Sequence, residues 1–338
     1  MKKAVILGKE LAGLVDVPTP HASEDWALVK VHVTPMCTEY KAFRSGAEAH
    51  YLGHEAVGEV VEIAQPGPVK VGDRVVAMPL WPCGTCALCV AGDYIYCEHL
   101  VDFAAMTGSR EGSATYAQYL LKPAWLLPVI PDDVTYEMAA LALCALGPSF
   151  GAFEAMNLNA FDTVLITGAG PVGLGAVVNA RYRGTRVIVA ESNPYRIERA
   201  RLLGAETVVD PRSDTAVAHV RELTGGLGVD AALDCAGVVA AQRLCIDAAR
   251  RRGRVAFVGE CSDDLPIKVS PDMIRKGLTI IGSWHYNLNH FPKIMQVIRS
   301  SPVVAHLVSH VLPMSEIQRA FEISSSQQCA KILLKPWE

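Results

Sequence analysis

The 338-residue chain lacks several features that mark exported, membrane or nucleic-acid-binding proteins. No apolar run reaches membrane-spanning length, and the short apolar core near the start, Ala4–Leu7, stops at Gly8, too soon for an export signal. The net charge is only −4 without a run of like charges, which argues against nucleic acid or an anionic membrane as a partner. We therefore expect a cytoplasmic protein.

Cysteine, by contrast, is abundant, with ten in the chain. In a reducing compartment thiols point to metal binding or catalysis before disulfides. Four of them follow the spacing C-x2-C-x2-C-x7-C, namely Cys83, Cys86, Cys89 and Cys97. Four thiolates can close a tetrahedron around zinc at about 2.3 Å. An iron–sulfur cluster is the rival, but nothing else in the sequence suggests electron transfer. The pattern predicts a closed, structural zinc site.

Secondary-structure patterns change along the chain. The first 150 residues contain short alternating strands separated by turn signals, which predicts a small barrel or sandwich. After Gly151, six strand candidates alternate with helical segments, starting with "TVLIT", as in a doubly wound parallel sheet. The tail from Pro292 holds a helix, 293–299, and a strand, "AKILLKP", that suit a return to the first domain. We predict an α/β protein with domains at 1–151 and 152–291 and a C-terminal return at 292–338.

A G-x-G-x-x-G turn follows "TVLIT" and opens a helical segment, which is the context that a dinucleotide-binding turn requires. The first glycine allows a tight turn, the second lets a pyrophosphate approach, and the third lets helix and strand pack closely. An acid ends the next strand, and it favours NAD over NADP because it repels a 2′-phosphate, although a nearby arginine weakens that preference. The residues assigned to this site are Gly168, Gly170, Pro171, Val172, Gly173, Glu191 and Arg196.

Together with the stretch "GHEAVGEV" from Gly53, the four-cysteine lobe and the glycine turn make the whole chain resemble one family. That family is the zinc-dependent alcohol dehydrogenases of the medium-chain dehydrogenase/reductase superfamily. The resemblance implies a GroES-like β-rich catalytic domain, a six-stranded Rossmann domain and a cleft between them. It also implies two zinc ions per chain, an NAD cofactor, a small alcohol or ketone as substrate, and a homodimer or homotetramer.

The resemblance carries over a catalytic zinc site. Its ligands are Cys37 at the end of an early strand, His54 of the Gly-His-Glu motif, and Cys144, which lies 24 residues before Gly168. Glu55 is carried over as an acid beside the metal that can enter its shell transiently, and whether it or Cys144 completes the site stays open. Two thiolates and one imidazole leave one tetrahedral position for an alcohol, whose pKa the dication lowers before hydride passes to the nicotinamide.

One position departs from the family pattern, and the resemblance assigns no role to one further segment. Many relatives place Ser or Thr two residues after the first zinc cysteine, as the start of a proton relay. Glu39 stands there in this chain, and our hypothesis is that it accepts the alcohol proton directly or through water. The aromatic and polar stretch Gly282–Phe291, with Trp284, Tyr286 and Asn287, either meets a hydroxyl-rich substrate or packs at a subunit interface.

Three functions are compatible with the sequence. The leading one is a zinc-dependent dehydrogenase that transfers hydride between a secondary alcohol or polyol and NAD. A zinc-independent reductase of the same superfamily is the second, although such proteins typically lack the four-cysteine lobe and the Gly-His-Glu. The third is a non-catalytic or regulatory NAD-binding protein of the same fold, which only the altered position Glu39 favours.

Overall fold

The computed structural model describes all 338 residues, Met1–Glu338, and divides into two compact units. The first contains Met1–Leu143, Asn287–Met295 and Val308–Glu338, and the second contains Cys144–Tyr286 and Gln296–Leu307. On its own, no helix has the length and apolar character to cross a membrane; a bent pair, Tyr136–Ala142 with Gly147–Ala155, does so by length and composition only.

The strands, in chain order, are β1 Lys2–Gly8, β2 Leu11–Asp16, β3 Trp26–Pro35, β4 Ala56–Ile63, β5 Arg74–Ala77, β6 Tyr119–Pro123, β7 Thr163–Thr167, β8 Arg186–Ala190, β9 Thr207–Val209, β10 Val229–Asp234, β11 Ala249–Phe257, β12 Thr279–Gly282, β13 Val308–Pro313 and β14 Lys331–Lys335.

The α-helices are α1 Tyr40–Ser45, α2 Ala87–Val90, α3 Phe103–Thr107, α4 Tyr136–Ala139, α5 Gly147–Ala155, α6 Pro171–Tyr182, α7 Pro194–Leu202, α8 Ala216–Glu222, α9 Val239–Ala248, α10 Phe291–Ser300 and α11 Ile317–Ser326. Shorter 3-10 turns cover Tyr94–Tyr96, Ala124–Leu126, Ala140–Ala142, Leu288–His290, Val304–Leu307 and Met314–Glu316, and a π-turn covers Val269–Ile274.

The second unit is built on one parallel sheet of six strands in the order β12-β11-β10-β7-β8-β9. The central strands are apolar because helices cover both faces of a parallel sheet, and Val164, Leu165 and Ile166 of β7 are fully buried. Strand order reverses beside β7, and ligands bind at that kind of switch point in such sheets. The predicted doubly wound sheet is confirmed.

Local signals set the helix that follows β8. Asn193 accepts hydrogen bonds from the backbone N–H groups of Tyr195 and Arg196, and Pro194 is the first helical residue. Asparagine followed by proline is a sequence pattern that predicts the start of a helix. The helix ends at Leu202, and Gly204 follows with φ +104°. These signals direct the chain out of β8 and into a helix at the carboxyl edge of the sheet.

The first unit has a β-rich core. A mixed sheet runs in the order β13-β14-β3-β4-β5, β6 pairs with β3, and β1 and β2 form a separate antiparallel ribbon. The alternation of "LVKVHV" lies within β3, whose residues Val29, Val31 and Val33 are fully buried. This is the predicted β-rich domain with its GroES-like fold.

The C-terminal tail is richer in structure than its sequence suggests. The predicted helix and final strand are α10 and β14, and the tail also contains β13 and α11. Strand β13 escapes prediction because "VSHVLP" is half-exposed with a weak alternation. Strand β14 pairs antiparallel with β3, and Leu333 lies opposite Pro35. That register brings the tail next to the end of β3, where the candidate site begins.

Candidate active site and metal centres

One cluster of metal-ligand atoms forms where β3 ends. Cys37 follows that strand, while His54 and Glu55 directly precede β4. Cys144 directly follows Leu143, the last residue of the first stretch of the first unit. One ligand atom from each of these four residues lies within 4.8 Å of all the others. Ligand atoms on a zinc tetrahedron stand about 3.8 Å apart, so the donor set fits that ion.

Gly53 makes the Gly-His-Glu turn possible. Its φ is +85°, and a Cβ there would lie 2.2 Å from the hydroxyl oxygen of Thr115. Only glycine fits this conformation in so little space. The next residues are held in place as well, because the hydroxyl of Thr34, in β3, donates to the backbone carbonyl of Glu55 at 2.7 Å. The motif is therefore a packed turn that fixes where His54 points.

Glu39 holds the imidazole of His54. Its Oε1 lies 3.2 Å from His54 Nδ1, while its Oε2 accepts from the Tyr116 hydroxyl at 2.8 Å and from the Cys37 backbone N–H at 3.0 Å. Burial acts to raise the pKa of Glu39, but the hydrogen bond and charge of His54 lower it to about 2. Both carboxylate oxygens are therefore engaged, and this arrangement positions the His54 ring. The hypothesis that Glu39 accepts the alcohol proton stays a prediction.

The ring of His54 is oriented for metal binding. With Nδ1 on the Glu39 carboxylate, Nε2 is turned to the side of Glu55, whose Oε1 lies 3.9 Å away. Burial acts to lower the pKa of His54, but hydrogen bonds with Cys37 and Glu39 and the charge of Glu55 raise it to about 11. A metal ligand must be the neutral ring, so zinc binding releases a proton from His54.

A buried ion pair restrains Glu55. Lys331 of β14 donates to its Oε1 at 2.6 Å, and both side chains are at most 1% exposed. Burial raises the pKa of Glu55, while the lysine charge acts in the opposite direction. The lysine draws this carboxylate toward β14. Neither Lys331 nor Tyr116 was found from the sequence, although a lysine at a buried position of "AKILLKP" is a signal that could have been used.

The four-cysteine lobe forms a second cluster. The sulfur atoms of Cys83, Cys86, Cys89 and Cys97 meet the same 4.8 Å criterion, and Cys83 lies 3.6 Å from Cys97. Backbone N–H groups point at the sulfurs, as from Cys86 to Cys83 at 3.3 Å. Hydrogen bonds from Thr85 and Cys86 lower the pKa of the Cys83 thiol to about 6. These hydrogen bonds stabilise the Cys83 thiolate, the form that binds zinc, whereas burial raises the pKa of Cys89 to about 12.

Asn287, in the segment that follows β12, forms hydrogen bonds with the four-cysteine lobe, residues 83–97. Its Nδ2 donates to Asp93 at 2.8 Å, and its Oδ1 accepts from the backbone N–H of Ile95 at 3.3 Å. Because the amide is 93% buried and used at both ends, Asn287 packs rather than facing a substrate. Trp284 is 38% exposed, whereas Tyr286 is buried.

The glycine turn of the second unit has the shape of a phosphate site. Gly168 has φ +79°, and a Cβ on Gly173 would lie 1.8 Å from the Gly168 carbonyl oxygen, so both positions need glycine. A Cβ on Gly170 would meet nothing within 4 Å, which leaves room in front of the α6 N-terminus. Pro171 and Val172 begin that helix. Free N–H groups at a helix N-terminus favour a phosphate.

Glu191 shapes the same turn. Its Oε2 accepts from the Ala169 N–H at 2.8 Å, and its Oε1 accepts from Ser192 at 2.7 Å and Asn193 at 2.8 Å. A carboxylate has about four acceptor positions, so one remains for a ribose hydroxyl. The Nε of Arg196 is buried without a hydrogen-bond partner, as expected for a group that receives a ligand.

The chain is similar to known proteins over nearly its whole length. The chain matches the family model of the alcohol dehydrogenase GroES-like domain over residues 23–132 and that of the zinc-binding dehydrogenase over residues 171–300. Sorbitol dehydrogenase of Bacillus subtilis (strain 168) is 31% identical over 99% of this chain and 97% of its own. L-threonine 3-dehydrogenase of Shewanella baltica (strain OS185) is 31% identical over 96% of each. The alcohol dehydrogenase TADH from Thermus sp. ATN1 is 27% identical, with TM-score 0.90 over 99% of each chain.

Proposed function

The chain belongs to the zinc-dependent alcohol dehydrogenases of the medium-chain dehydrogenase/reductase superfamily, and from that membership we propose that it oxidises a secondary alcohol or polyol with NAD. It is an oxidoreductase that uses zinc and NAD on a small molecule. Sorbitol and threonine, which name two relatives, both carry secondary hydroxyl groups. That shared group supports the proposed substrate class.

The single observation that carries the proposal is the convergence of the ligand atoms of Cys37, His54 and Cys144. These three residues hold the catalytic zinc in our proposal, while the contact with Lys331 keeps Glu55 available as a transient fourth ligand. A zinc ion in this donor set supplies Lewis acidity that lowers the pKa of an alcohol. Glu39 and the Tyr116 hydroxyl behind it keep the His54 ring in position.

The second unit supplies the cofactor site in this proposal. Gly168, Gly170 and Gly173 shape the turn in front of the pyrophosphate, and the N-terminus of α6 offers its N–H groups. Glu191 supports NAD over NADP, because a buried carboxylate disfavours a 2′-phosphate beside it. Arg196 lies on the adjacent helix as a hydrogen-bond donor to the ribose. Residues 1–151 act as the catalytic domain, 152–291 as the NAD-binding domain, and 292–338 return to the first.

Cys83, Cys86, Cys89 and Cys97 hold a second, structural zinc, which makes two ions per chain. All four positions of that tetrahedron are protein thiolates, so the site is closed and has no place for a substrate. We also propose a homodimer or homotetramer on the basis of family membership, and analytical ultracentrifugation measures that state.

Metal analysis combined with a substrate screen tests the proposal. The purified protein is expected to contain about two zinc ions per chain, one for each site. It is expected to produce NADH absorbance with secondary alcohols or polyols. Cys37→Ala should contain one zinc and have no turnover, whereas Cys261→Ala, outside both clusters, should match the unmodified protein. One zinc per chain, with no hydride transfer to NAD across the alcohol panel, would contradict the proposal.

A further inference from the structure

A cavity of about 630 Å³ lies within the first unit, and its lining includes Gly53 and His54. The cavity therefore borders a proposed ligand of the catalytic zinc. Its aromatic lining residues are Tyr51, Trp81 and Phe103. The charged residues of the lining are two cations, Arg110 and Lys122, and one acid, Asp102.

Lys122 is a buried cation with no acidic partner. It is 5% exposed, and its ammonium donates to the Leu80 carbonyl and lies 4.8 Å from the centre of the Trp81 ring. An ammonium has three N–H donors, so two remain without an acceptor. Burial lowers the pKa of Lys122 to about 7, because no acid offsets the cost of burying its charge.

Arg110 is likewise without an acid. Its guanidinium stacks on the Tyr51 ring, with 4.5 Å between the charge centre and the ring centre, and makes no hydrogen bond or ion pair. The neighbouring acid, Glu111, is already taken by Lys3, whose Nζ lies 2.8 and 2.9 Å from its two oxygens. Arg110 is exposed, so its five N–H donors face solvent at the edge of the cavity and no acid of the chain engages them.

The acid of the lining does not neutralise these cations. Asp102 Oδ1 accepts from the backbone N–H groups of Ala104 and Ala105, so it caps helix α3. No ion pair joins Asp102 to either cation. The cavity thus contains a guanidinium and a lysine amine that no acid of the chain neutralises, and an anion bound beside them would favour the charged form of Lys122.

We propose that this cavity receives an anionic group of the alcohol substrate, with Arg110 and Lys122 as the residues that determine specificity. This inference rests on the proposed function and narrows its substrate class to hydroxyl-bearing carboxylates or phosphate esters. The anion supplies the counter-charge that both cations lack. Meanwhile the hydroxyl group of the substrate lies at the His54 end of the cavity.

Matched substrate pairs test the inference with the zinc-loaded enzyme. The first pair is 3-hydroxybutanoate and 3-hydroxybutanamide, and the second is sorbitol 6-phosphate and sorbitol, so the pairs separate carboxylate from phosphate. In at least one pair, kcat/KM for the charged member is expected to exceed that for the neutral member about tenfold or more. Arg110→Gln should lower that ratio about tenfold by raising KM, while Lys70→Gln, an exposed lysine outside the cavity, should leave it unchanged.

Binding gives a second readout at Arg110, because a change of Lys122 also removes its hydrogen bond to Leu80. Calorimetry of the unmodified enzyme and Arg110→Gln with butanoate and butanamide separates recognition from turnover. Butanoate binding that Arg110→Gln weakens about tenfold supports the inference. Equal kcat/KM for the charged and neutral members of both pairs overturns the inference. Butanoate binding that is equally tight in the unmodified enzyme and Arg110→Gln also overturns it. Neither result contradicts the proposed function. Failure of all four alcohols and of a broader alcohol panel refutes the proposed function itself.

Discussion

At the scale of single residues, two pairs of oppositely charged side chains position the residues of the candidate metal site. Glu39 faces His54, and Glu55 faces Lys331. Removing one member of such a pair leaves an uncompensated buried charge, which costs about 3–5 kcal/mol. The site is thus built so that each acid has a fixed partner.

Glu39→Gln tests whether this carboxylate positions His54. The amide loses the negative charge beside Nδ1, and partners of metal-bound histidines of this kind contribute about 10- to 100-fold in metal affinity. We expect zinc affinity, measured by competition with a chromophoric chelator, to fall by that factor. Glu48→Gln, an exposed acid nearby in sequence, serves as the control. Unchanged zinc affinity, with a shifted pH profile of kcat, would instead restore Glu39 as the proton acceptor.

At the scale of secondary-structure elements, two glycines of the turn into α6 are needed for different reasons, one for packing and one for ligand access. Gly173 is needed for packing, because a Cβ there would meet the Gly168 carbonyl at 1.8 Å. Gly170 has open space at its Cβ and extended backbone angles of φ −69° and ψ −177°, which alanine also adopts. The fold itself therefore does not require glycine at position 170, and the open space beside it can hold a ligand.

The two glycines thus form a matched pair of variants. Gly173→Ala is expected to lower the free energy of unfolding by about 1–3 kcal/mol, since the neighbouring backbone must move. Gly170→Ala should leave the melting temperature without cofactor unchanged and weaken NADH binding, measured by fluorescence titration, because its methyl group occupies the place of the pyrophosphate. Normal NADH affinity in Gly170→Ala would show that the cofactor does not approach this turn.

Strand β6 carries a pH-sensitive group, Lys122. Burial lowers the pKa of Lys122 to about 7, below the unfolded value of about 10.4. Between these values the unfolded chain binds more protons, so this lysine makes stability rise with pH through that window and contributes no slope below it. From pH 7 to 9 the gain is about 1–3 kcal/mol.

Urea unfolding of the zinc-loaded protein at several pH values between 7 and 9 measures this gain. The difference between the unmodified protein and Lys122→Met isolates the lysine from other titrating groups. Lys30→Met, in the adjacent strand β3 but only half-buried, is the matched control. A parallel pH dependence in the unmodified protein and Lys122→Met would mean that the lysine stays charged throughout.

At the scale of the whole molecule, the sequence predicted what depends on local spacing. The parallel sheet, the cap at Asn193 and the convergence of the four cysteines follow from periodicity, capping chemistry and metal-ligand spacing. The partners of the site residues did not follow, because they come from distant parts of the chain: Lys331 is 276 positions from Glu55, and Tyr116 is 77 from Glu39. Strand register and side-chain packing create those contacts, and no local pattern encodes them.

The difference between the open catalytic zinc site and the closed structural one leads to a prediction for the intact protein. A site with three protein ligands offers a chelator a coordination position, whereas four thiolates offer none. Dipicolinate should therefore remove one zinc quickly, with loss of turnover and little change in melting temperature. The second zinc should leave slowly and lower the melting temperature, because structural zinc contributes directly to folding. Release of both ions in a single phase, followed by a zinc-responsive dye, would contradict the assignment of one open and one closed site.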